Sequence, residues 1–285
     1  MEPKPLYKAV EMEEWLDLRF FHPLGYRLAL AARTLGLVPD QVTYISMVFG
    51  VAGGFMLASW KTAAAGWALM VFSSVLDSAD GQLARMTGGG TLPGRILDGL
   101  IGYFTFTAAY IGLLLLNTGS PRSLGVFAMA ALIVAGGVFT AFESSLYDFY
   151  RTTFAAIVSK GTLPGGDKTE ELGWFLKFSY STYGAYQRFF AASHLRLLAA
   201  LRAKYPQGTG EGLRAGYLRA NRANVHVWNL LGDNTRFLLI GLCLVLRRPE
   251  WYFYIVIGPL SVLMLAMTLV QRRADRELAS EFLES

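Results

Sequence analysis

The chain is poor in charged residues and in cysteine. Only 16% of its 285 residues are charged, and a single cysteine, Cys243, excludes an internal disulfide. Soluble globular proteins carry roughly 25% charged residues. A soluble fold of this length has too little interior for a chain that is 53% hydrophobic, with a mean hydropathy of +0.37. The same composition excludes a disordered chain and a secreted disulfide scaffold.

The N-terminal segment lacks the apolar core of a secretory signal peptide, because acids and bases alternate through it. The net charge of +5 is compatible with nucleic acid or with anionic lipid as a partner. In a chain this hydrophobic, it favours lipid headgroups, so we expect a lipid bilayer as the partner and no nucleic acid.

The sequence contains several long apolar runs. A transmembrane helix needs about 20 predominantly apolar residues, and six runs approach that length: residues 41–60, 62–76, 94–117, 124–147, 225–246 and 251–271. Residues 5–33 alternate apolar and charged side chains at helical spacing, as an interfacial amphipathic helix does. The sequence therefore predicts an all-α integral membrane protein with six transmembrane helices and an N-terminal interfacial amphipathic helix.

The distribution of basic residues predicts the orientation in the membrane. If the N-terminus is cytoplasmic, the outer segments contain only Lys61, Arg122, Arg247 and Arg248 of the 26 basic residues. Cytoplasmic segments are enriched in Lys and Arg, so we expect both termini in the cytoplasm, with the inner membrane of a bacterium or archaeon as the location. Gly50 and Gly54 form a small-residue pair suited to close helix packing, which leaves a homodimer open.

Four segments are predicted from these patterns. They are residues 1–40 as a cytoplasmic interfacial helix region, 41–151 as the first four transmembrane helices, 152–224 as a cytoplasmic insertion with interfacial helices, and 225–285 as the last two transmembrane helices with a cytoplasmic tail.

Carboxylates at the ends of the apolar runs predict a metal site. Asp77 and Asp80 share one helix face, and Asp98 begins the next run after a short connection. Charged groups at bilayer depth are costly and are functional by default. Without His or Cys nearby, these oxygen ligands suit a hard divalent cation. Structural ion pairs with Arg85 and Arg95, or a cation pathway in a transporter, remain open on residue types alone.

The spacing of these residues resembles the signature of the CDP-alcohol phosphotransferase family. The sequence DSADGQLAR (77–85), then eight residues, then GRILD (94–98) matches seven of the eight positions of the family pattern D-x-x-D-G-x-x-A-R, eight residues, G-x-x-x-D-x-x-x-D. The segment VPDQVT (38–43) is similar to the Pro-Asn-x-x-Thr that members show before their first span, with Asp40 in place of Asn.

The resemblance implies transfer of a phosphatidyl-type group from a CDP-activated lipid to an acceptor hydroxyl, with release of CMP, in phospholipid biosynthesis. It implies CDP-diacylglycerol as the donor, an acceptor that the sequence does not identify, and Mg²⁺ or Mn²⁺ as cofactor. The roles carried over are divalent-metal ligands for Asp77, Asp80 and Asp98, and CDP-alcohol binding for Gly81, Ala84, Arg85 and Gly94.

The eighth signature position is Gly102, where the family has its last aspartate. That carboxylate is thought to hold metal and to accept the proton of the acceptor hydroxyl, and glycine does neither. Three explanations stay open: a base from elsewhere, a catalytically silent relative that binds nucleotide or lipid, or a change introduced at this position. The candidate bases are Glu143, Asp148 and Asp233.

A polar stripe in the fifth run predicts an acceptor pocket. His226, Asn229, Asp233 and Arg236 follow spacings of three, four and three, which place them on one face of a continuous helix. We predict acceptor binding by Arg151, Asn229, Asp233 and Arg236. Interhelical hydrogen bonding is the alternative explanation of such a stripe. His22 and His194 carry no functional prediction.

Overall fold

The structure is a computed structural model that describes residues 12–88, 92–118, 124–164 and 188–284, with side chains in the second range described from residue 101 on. Every regular element in these ranges is helical, so the all-α prediction is confirmed there. The helices are α1 (His22–Thr34), α2 (Pro39–Met56), α3 (Ala63–Thr87), α4 (Leu92–Thr118), α5 (Val126–Val158), α6 (Ala192–Lys204), α7 (Glu211–Trp228), α8 (Asp233–Val245), α9 (Glu250–Ile255) and α10 (Ser261–Phe282).

The chain forms two compact units. The first comprises Glu14–Gly137 and Asp233–Ile255, and the second Val138–Gly232 and Val256–Ser285 together with Met12 and Glu13. The first unit therefore holds α1 to α4, the start of α5, α8 and α9. The second holds the rest of α5, α6, α7 and α10.

Glycines allow α2, α3 and α4 to pack with their backbones close together. A Cβ on Gly53 would lie 2.6 Å from the Gly66 oxygen, and one on Gly54 would lie 2.6 Å from the Ala109 nitrogen. A Cβ on Gly112 would overlap the Gly54 oxygen. Only glycine permits such an approach of one backbone to another, so these residues determine how closely the three helices pack.

Facing residues establish the directions of these helices. Thr43 faces Asp80, and Ser46 faces Ser73. Residue numbers therefore rise along α2 as they fall along α3, so the two helices are antiparallel. Along α4 the numbers rise together with those of α2. Gly54 meets Ala109, and Gly50 meets Thr105 one turn earlier, so α2 and α4 are parallel. Helices α3 and α4 are therefore antiparallel, as the short connection between them predicts.

One polar layer crosses the three helices and serves as a reference height. The Ser46 and Ser73 hydroxyls lie 3.1 Å apart, and each donates to the backbone carbonyl of the other residue. A Cβ on Gly50 would contact both Ser73 and Thr105. We call Ser46, Gly50, Ser73 and Thr105 the serine layer.

Helices α8 and α9 pack against α3 and α4 through aromatic residues. The Trp67 indole nitrogen donates to the Phe237 carbonyl at 2.8 Å, which joins α3 to α8. The Phe106 and Phe237 rings stack with their centroids 5.2 Å apart, which joins α4 to α8. The Tyr110 and Tyr252 hydroxyls lie 3.2 Å apart, which joins α4 to α9.

The N-terminal segment contributes a helix with one buried face. Ala29 and Ala32 of α1 pack in a cluster with Leu76, Ala79 and Leu83 of α3. Helix α1 and the π-helical turn Asp17–Phe21 before it lie largely within residues 5–33, where the interfacial amphipathic helix is predicted, and residues 5–11 lie outside the described part.

The second unit encloses a buried polar network within its apolar core. His194 Nδ1 lies 2.6 Å from Asp275 Oδ1, and the Tyr217 hydroxyl lies 3.1 Å from His194 Nε2. Burial, and then the charge of Asp275, raise the pKa of the Tyr217 phenol well above its ordinary value, so the hydroxyl stays protonated and donates. Asn221 and Gln271 extend the network. His194 is fully buried in these contacts, which explains its presence structurally.

The prediction of one continuous helix over residues 225–246 is wrong. Helix α7 ends at Trp228, a 3₁₀ turn covers Asn229–Leu231, and α8 begins at Asp233 after Gly232, whose ψ of 172° is extended. Glycine is a poor residue inside a helix, and Gly232 marks the interruption. His226 and Asn229 therefore do not share one helix face with Asp233 and Arg236.

Three helical stretches of the described part are long and apolar enough to cross a membrane: Ile101–Thr118, Val126–Val158 and Glu250–Phe282. They are what an integral membrane protein requires, and they fall within the third, fourth and sixth predicted runs or extend beyond them. Helix α5 also continues past the segment boundary predicted at residue 151.

We expect Gly112→Ala to destabilise the first unit, because its methyl group would overlap the Gly54 oxygen. Overpacking costs typically about 1–3 kcal/mol. Gly137→Ala is the matched control, since in the described part of the chain its Cβ would meet only the Tyr110 ring, at 3.8 Å. Thermal unfolding in detergent should show a lowered midpoint for Gly112→Ala alone. Equal midpoints for the two variants would contradict the close packing of α2 and α4.

Tyr217→Phe should destabilise the second unit by about 1–3 kcal/mol, because it leaves the buried His194 Nε2 without its donor. Tyr205→Phe is the control: its hydroxyl makes a longer bond of 3.4 Å at a partly buried position. Chemical denaturation of both variants in the same detergent measures the difference, and a larger loss for Tyr205→Phe would argue against the network.

Candidate functional site

Two carboxylates lie in the last part of α3, and one of them is enclosed by protein. Asp80 is 5% exposed, and the Thr43 hydroxyl of α2 donates to its Oδ2 at 2.6 Å. Asp77, one turn earlier, is half-buried. A short hydrogen bond from a hydroxyl favours the ionised carboxylate. The antiparallel packing of α2 and α3 brings Thr43 to this position.

The start of α1 covers the residues between these carboxylates. A Cβ on Gly25 would lie 2.7 Å from the Ser78 hydroxyl, so α1 approaches α3 closely there. His22 Nδ1 lies 2.9 Å from the same hydroxyl. Gln82 Nε2 donates to the His22 carbonyl at 3.0 Å. These contacts hold the last turns of α3 in place from one side.

Gly81, Ala84 and Arg85 continue α3 beyond the carboxylates. A Cβ on Gly81 would lie 3.4 Å from a guanidinium nitrogen of Arg85, so the arginine side chain lies over the glycine. Arg85 is exposed, and Ala84 is partly buried. A small surface beside a guanidinium group is suited to a phosphate or diphosphate.

Gly94 and Asp98 lie in α4, but their side chains are outside the described residues. Because α3 and α4 are antiparallel, the start of α4 lies at the same end of the first unit as the end of α3. Position 98 is one turn before Gly102 on the same face of α4.

Gly102 faces the start of α8. A Cβ built on Gly102 would lie 3.6 Å from Oδ2 of Asp233, its one heavy-atom neighbour within 4 Å among the described residues. Four residues on, Phe106 stacks on Phe237, which lies four residues after Asp233. The two helices therefore keep the same register for at least one turn, with 102 beside 233 and 106 beside 237.

Two side chains hold the start of α8. Asp233 Oδ1 accepts from Arg236 Nη1 at 3.1 Å, and the arginine is fully buried while the Asp233 side chain is 53% exposed. The Asn234 amide donates to Glu14 Oε2 at 2.9 Å and to Asp17 Oδ1 at 2.8 Å. The Asp233 carboxylate is therefore placed from both sides and remains accessible.

The other predicted site residues lie in the second unit. Glu143 is fully buried and accepts from the Ser261 hydroxyl at 3.1 Å. Asp148 is exposed and accepts from Thr152 at 3.4 Å.

Arg151 and Asn229 of the predicted acceptor set are also in the second unit, whereas Asp233 and Arg236 are in the first. Arg151 donates to the Tyr147 hydroxyl at 2.9 Å and to Glu13 at 2.7 Å. Asn229 is buried and donates to the Met12 carbonyl at 2.9 Å. The single helix face that was predicted to group Asn229 with Asp233 and Arg236 does not exist.

Sequence reasoning gave Thr43, His22 and Asn234 no role in the site. A signal for Thr43 was available, because it ends the VPDQVT segment that precedes the first apolar run. Nothing in the spacing of His22 or Asn234 indicates their contacts, since those contacts join residues far apart in the chain.

At this end of the first unit, the described residues offer carboxylate oxygens that suit a metal ion and an arginine side chain that suits a phosphate group. Asp77 and Asp80 supply the carboxylates that Mg²⁺ and Mn²⁺ prefer, and the buried position of Asp80 keeps one of them oriented. Arg85 supplies a positive charge one to two turns farther along α3.

The family described as CDP-alcohol phosphatidyltransferase matches residues 36–163 of this chain. The match includes α2, α3 and α4, and therefore Thr43, both α3 carboxylates and Gly102. It confirms the resemblance that the signature residues indicate. No solved structure matches the chain significantly.

Curated relatives that match are phosphatidylinositol phosphate synthases of mycobacteria. Those of Mycobacterium bovis (strain BCG / Pasteur 1173P2) and Mycobacterium tuberculosis (strain ATCC 25618 / H37Rv) are each 36% identical over 80 residues, 28% of this chain and 37% of the relative. That of Mycobacterium marinum (strain ATCC BAA-535 / M) is 36% identical over 87 residues, 30% of this chain and 37% of the relative. The chain thus spans little more than a third of the length of these relatives.

Thr43→Val should lower the free energy of unfolding by about 1.5–3 kcal/mol, because it removes the donor to the buried Asp80 carboxylate while keeping the side-chain shape. Thr43→Ser keeps the hydroxyl and is the control. Unfolding curves in metal-free buffer should separate valine from serine. If valine is as stable as threonine, Asp80 does not depend on this bond.

Proposed function

We propose that the chain is a member of the CDP-alcohol phosphatidyltransferase family that transfers a phosphatidyl-type group from a CDP-activated lipid to an acceptor hydroxyl and releases CMP. One observation carries the proposal: the family-matched segment contains a carboxylate pair at the end of α3, with Thr43 bonded to Asp80 and Arg85 lying over Gly81.

Asp77, Asp80 and Asp98 are proposed as ligands of Mg²⁺ or Mn²⁺. The fit rests on the donor set, because hard cations take carboxylate oxygens and the α3 pair offers two of them three residues apart. When bound, the cation supplies charge neutralisation on the diphosphate and on the leaving CMP. The chain's own contribution is to orient Asp80 through the hydrogen bond from Thr43.

Gly81, Ala84, Arg85 and Gly94 are proposed to bind the CDP part of the donor. The guanidinium group of Arg85, which lies over Gly81, is proposed to pair with a diphosphate oxygen. As glycines, residues 81 and 94 add no side chain of their own against the nucleotide. Donor binding at this end of α3 presents the phosphorus atom next to the carboxylates.

The reaction balances without a further reactant. The acceptor oxygen forms a bond to the phosphorus that carries the lipid, the bond from that phosphorus to the bridging oxygen breaks, and CMP leaves with the electron pair. The proton of the acceptor hydroxyl goes to a carboxylate base, for which Glu143, Asp148 and Asp233 are the candidates.

We extend the proposal to the setting and partners of the reaction. The donor is CDP-diacylglycerol, taken from the bilayer by a protein with six transmembrane helices, an interfacial N-terminal helix and cytoplasmic termini, in a bacterial or archaeal inner membrane. The name of the mycobacterial relatives suggests inositol phosphate as the first acceptor to test. Arg151, Asn229 and Arg236 stay candidates for acceptor binding, and assembly as a homodimer stays open.

The glycine at position 102 favours a second candidate function, a relative that binds nucleotide or lipid without turnover. A cation transporter is a weaker alternative, because transport gives no reason for the Gly-x-x-Ala-Arg spacing that follows Asp80.

The test is CMP release by the purified full chain in lipid nanodiscs, with CDP-diacylglycerol, Mn²⁺ or Mg²⁺ and a panel of polyol and polyol-phosphate acceptors. We expect metal-dependent CMP release, lost on chelation. Asp80→Asn should lower the rate at least about a hundredfold, since metal charge stabilisation is worth several kcal/mol and each 1.36 kcal/mol is a factor of ten.

Glu277→Gln is the control, because Glu277 is an exposed residue of α10 in the second unit. It should leave the rate unchanged. Nucleotide or lipid binding without CMP release from any acceptor would favour the silent relative, and Asp80→Asn at full rate would remove Asp80 from the reaction.

A further inference from the structure

We propose that Asp233 supplies, from α8, the carboxylate that position 102 of α4 lacks. The inference rests on the proposed function, and it selects one base among the three candidates. The carboxylate would join the metal ligands and accept the proton of the acceptor hydroxyl.

The distance between Asp233 and Gly102 is the first argument. Oδ2 of Asp233 lies 3.6 Å from where a Cβ on Gly102 would be. The carboxyl carbon of an aspartate at 102 would extend one bond of about 1.5 Å beyond that Cβ. Its oxygens would therefore reach the space next to the Asp233 carboxylate. The absence of a side chain at 102 leaves room there for a carboxylate from the neighbouring helix.

The height of this carboxylate in the first unit is the second argument. Counted from the serine layer, Gly102 is three residues before Thr105, about 4.5 Å along α4, and Asp77 is four residues after Ser73, about 6 Å along α3. Because α3 and α4 are antiparallel, both displacements run toward the same end of the helices. Asp233, which lies beside Gly102, is therefore near the height of Asp77.

The direction of Asp77 on α3 agrees with this height. With about 100° per residue, Asp77 lies between the face of Trp67, which contacts α8, and the face of Ser73, which contacts α2. Asp77 is thus about 40° from Ser73 and about 80° from Trp67, on the α8 side of the face that contacts α2.

The Asp233 carboxylate is prepared for such a role by its neighbours. Its Oδ1 accepts from the fully buried Arg236, which orients the group, while Oδ2 is the oxygen on the side of Gly102. The adjacent Asn234 is bonded to Glu14 and Asp17, which holds the first turn of α8. With its side chain 53% exposed, Asp233 stays accessible to ligands. Arg236 and Asn234 are positioning residues in this arrangement.

Glu143 and Asp148 have other hydrogen-bond partners. Both belong to the second unit, where Glu143 accepts from Ser261 and Asp148 from Thr152. The proton step then involves Asp233 alone: as the acceptor oxygen bonds to phosphorus and CMP leaves with the electron pair, the hydroxyl proton passes to Oδ2.

A structural role for Asp233 is the competing explanation. An acidic residue in the first turn stabilises a helix, and Asp233 also pairs with Arg236. That role needs a negative charge at the start of α8, but it does not need the charge to be near α4. Moving the carboxylate from α8 to α4 therefore separates the two explanations.

The experiment compares wild type, Asp233→Asn and the double variant Gly102→Asp/Asp233→Asn as full chains in nanodiscs. Two readouts are taken: CMP release with CDP-diacylglycerol, and Mn²⁺ affinity from the electron paramagnetic resonance signal of the free ion. Asp233→Asn should lower the rate by about 10²–10⁴, the typical contribution of a general base, and should weaken Mn²⁺ binding at least tenfold.

The double variant should recover at least tenfold in both readouts. Asp233→Ser replaces Asp233→Asn if the latter does not fold, because serine also suits a helix start, and Glu277→Gln serves again as the unaffected control. Asp233→Asn within threefold of wild type in rate and in Mn²⁺ affinity would overturn the inference and leave the function standing. A double variant that gains nothing in either readout would also overturn it.

The binding readout distinguishes this inference from the proposed function. If wild type releases no CMP with any acceptor, the function fails, and Mn²⁺ binding that is weakened by Asp233→Asn and regained in the double variant still supports the relocated carboxylate.

Discussion

Close backbone packing of α2, α3 and α4 is the constraint on which the candidate site depends. Gly53, Gly54 and Gly112 permit that packing, since any side chain at these positions would meet a neighbouring helix. The packing sets the register in which Thr43 of α2 reaches Asp80 of α3, more than thirty residues away in the chain. It also makes α3 antiparallel to α4, so that the carboxylates of α3 and the start of α4 lie at one end. A shift of one helical turn would separate these groups by about 5.4 Å.

Buried charge is energetically costly in this protein, and hydrogen bonds within and between helices offset that cost. An ionised carboxylate in an apolar interior is costly unless it is paired and hydrogen-bonded. Asp80 receives the Thr43 hydroxyl, and the fully buried Arg236 is paired with Asp233. In the second unit Asp275 is likewise hydrogen-bonded, within a network that includes His194, Tyr217 and Gln271. The two units differ in exposure: the network around Asp275 is enclosed, whereas Asp233 remains accessible.

The break between α7 and α8 decides which polar residues belong to the site. In a continuous helix, Asn229 would lie on the face of Asp233, and both would contribute to one pocket. The 3₁₀ turn and Gly232 end that relation, and Asn229 bonds to Met12 within the second unit while Asp233 starts α8 in the first. Because of the same break, α8 begins with a separate first turn. Asn234 in this turn donates hydrogen bonds to Glu14 and Asp17. In this arrangement the carboxylate of Asp233 lies beside Gly102. The helix face that was predicted to bind the acceptor is not formed.

By itself, the sequence determined the helical class, the family resemblance and the carboxylates of α3. These follow from local information: apolar runs of fixed length, and residues at fixed spacing on one helix, such as Asp77, Asp80 and Arg85. The sequence also exposed the gap at Gly102, but spacing along one helix says nothing about a neighbour 131 positions later in the numbering. Only the tertiary structure decided that Asp233 lies beside that glycine. The physical reason is that contacts between helices depend on packing and register, which here are set by glycines and by the stacking of Phe106 on Phe237.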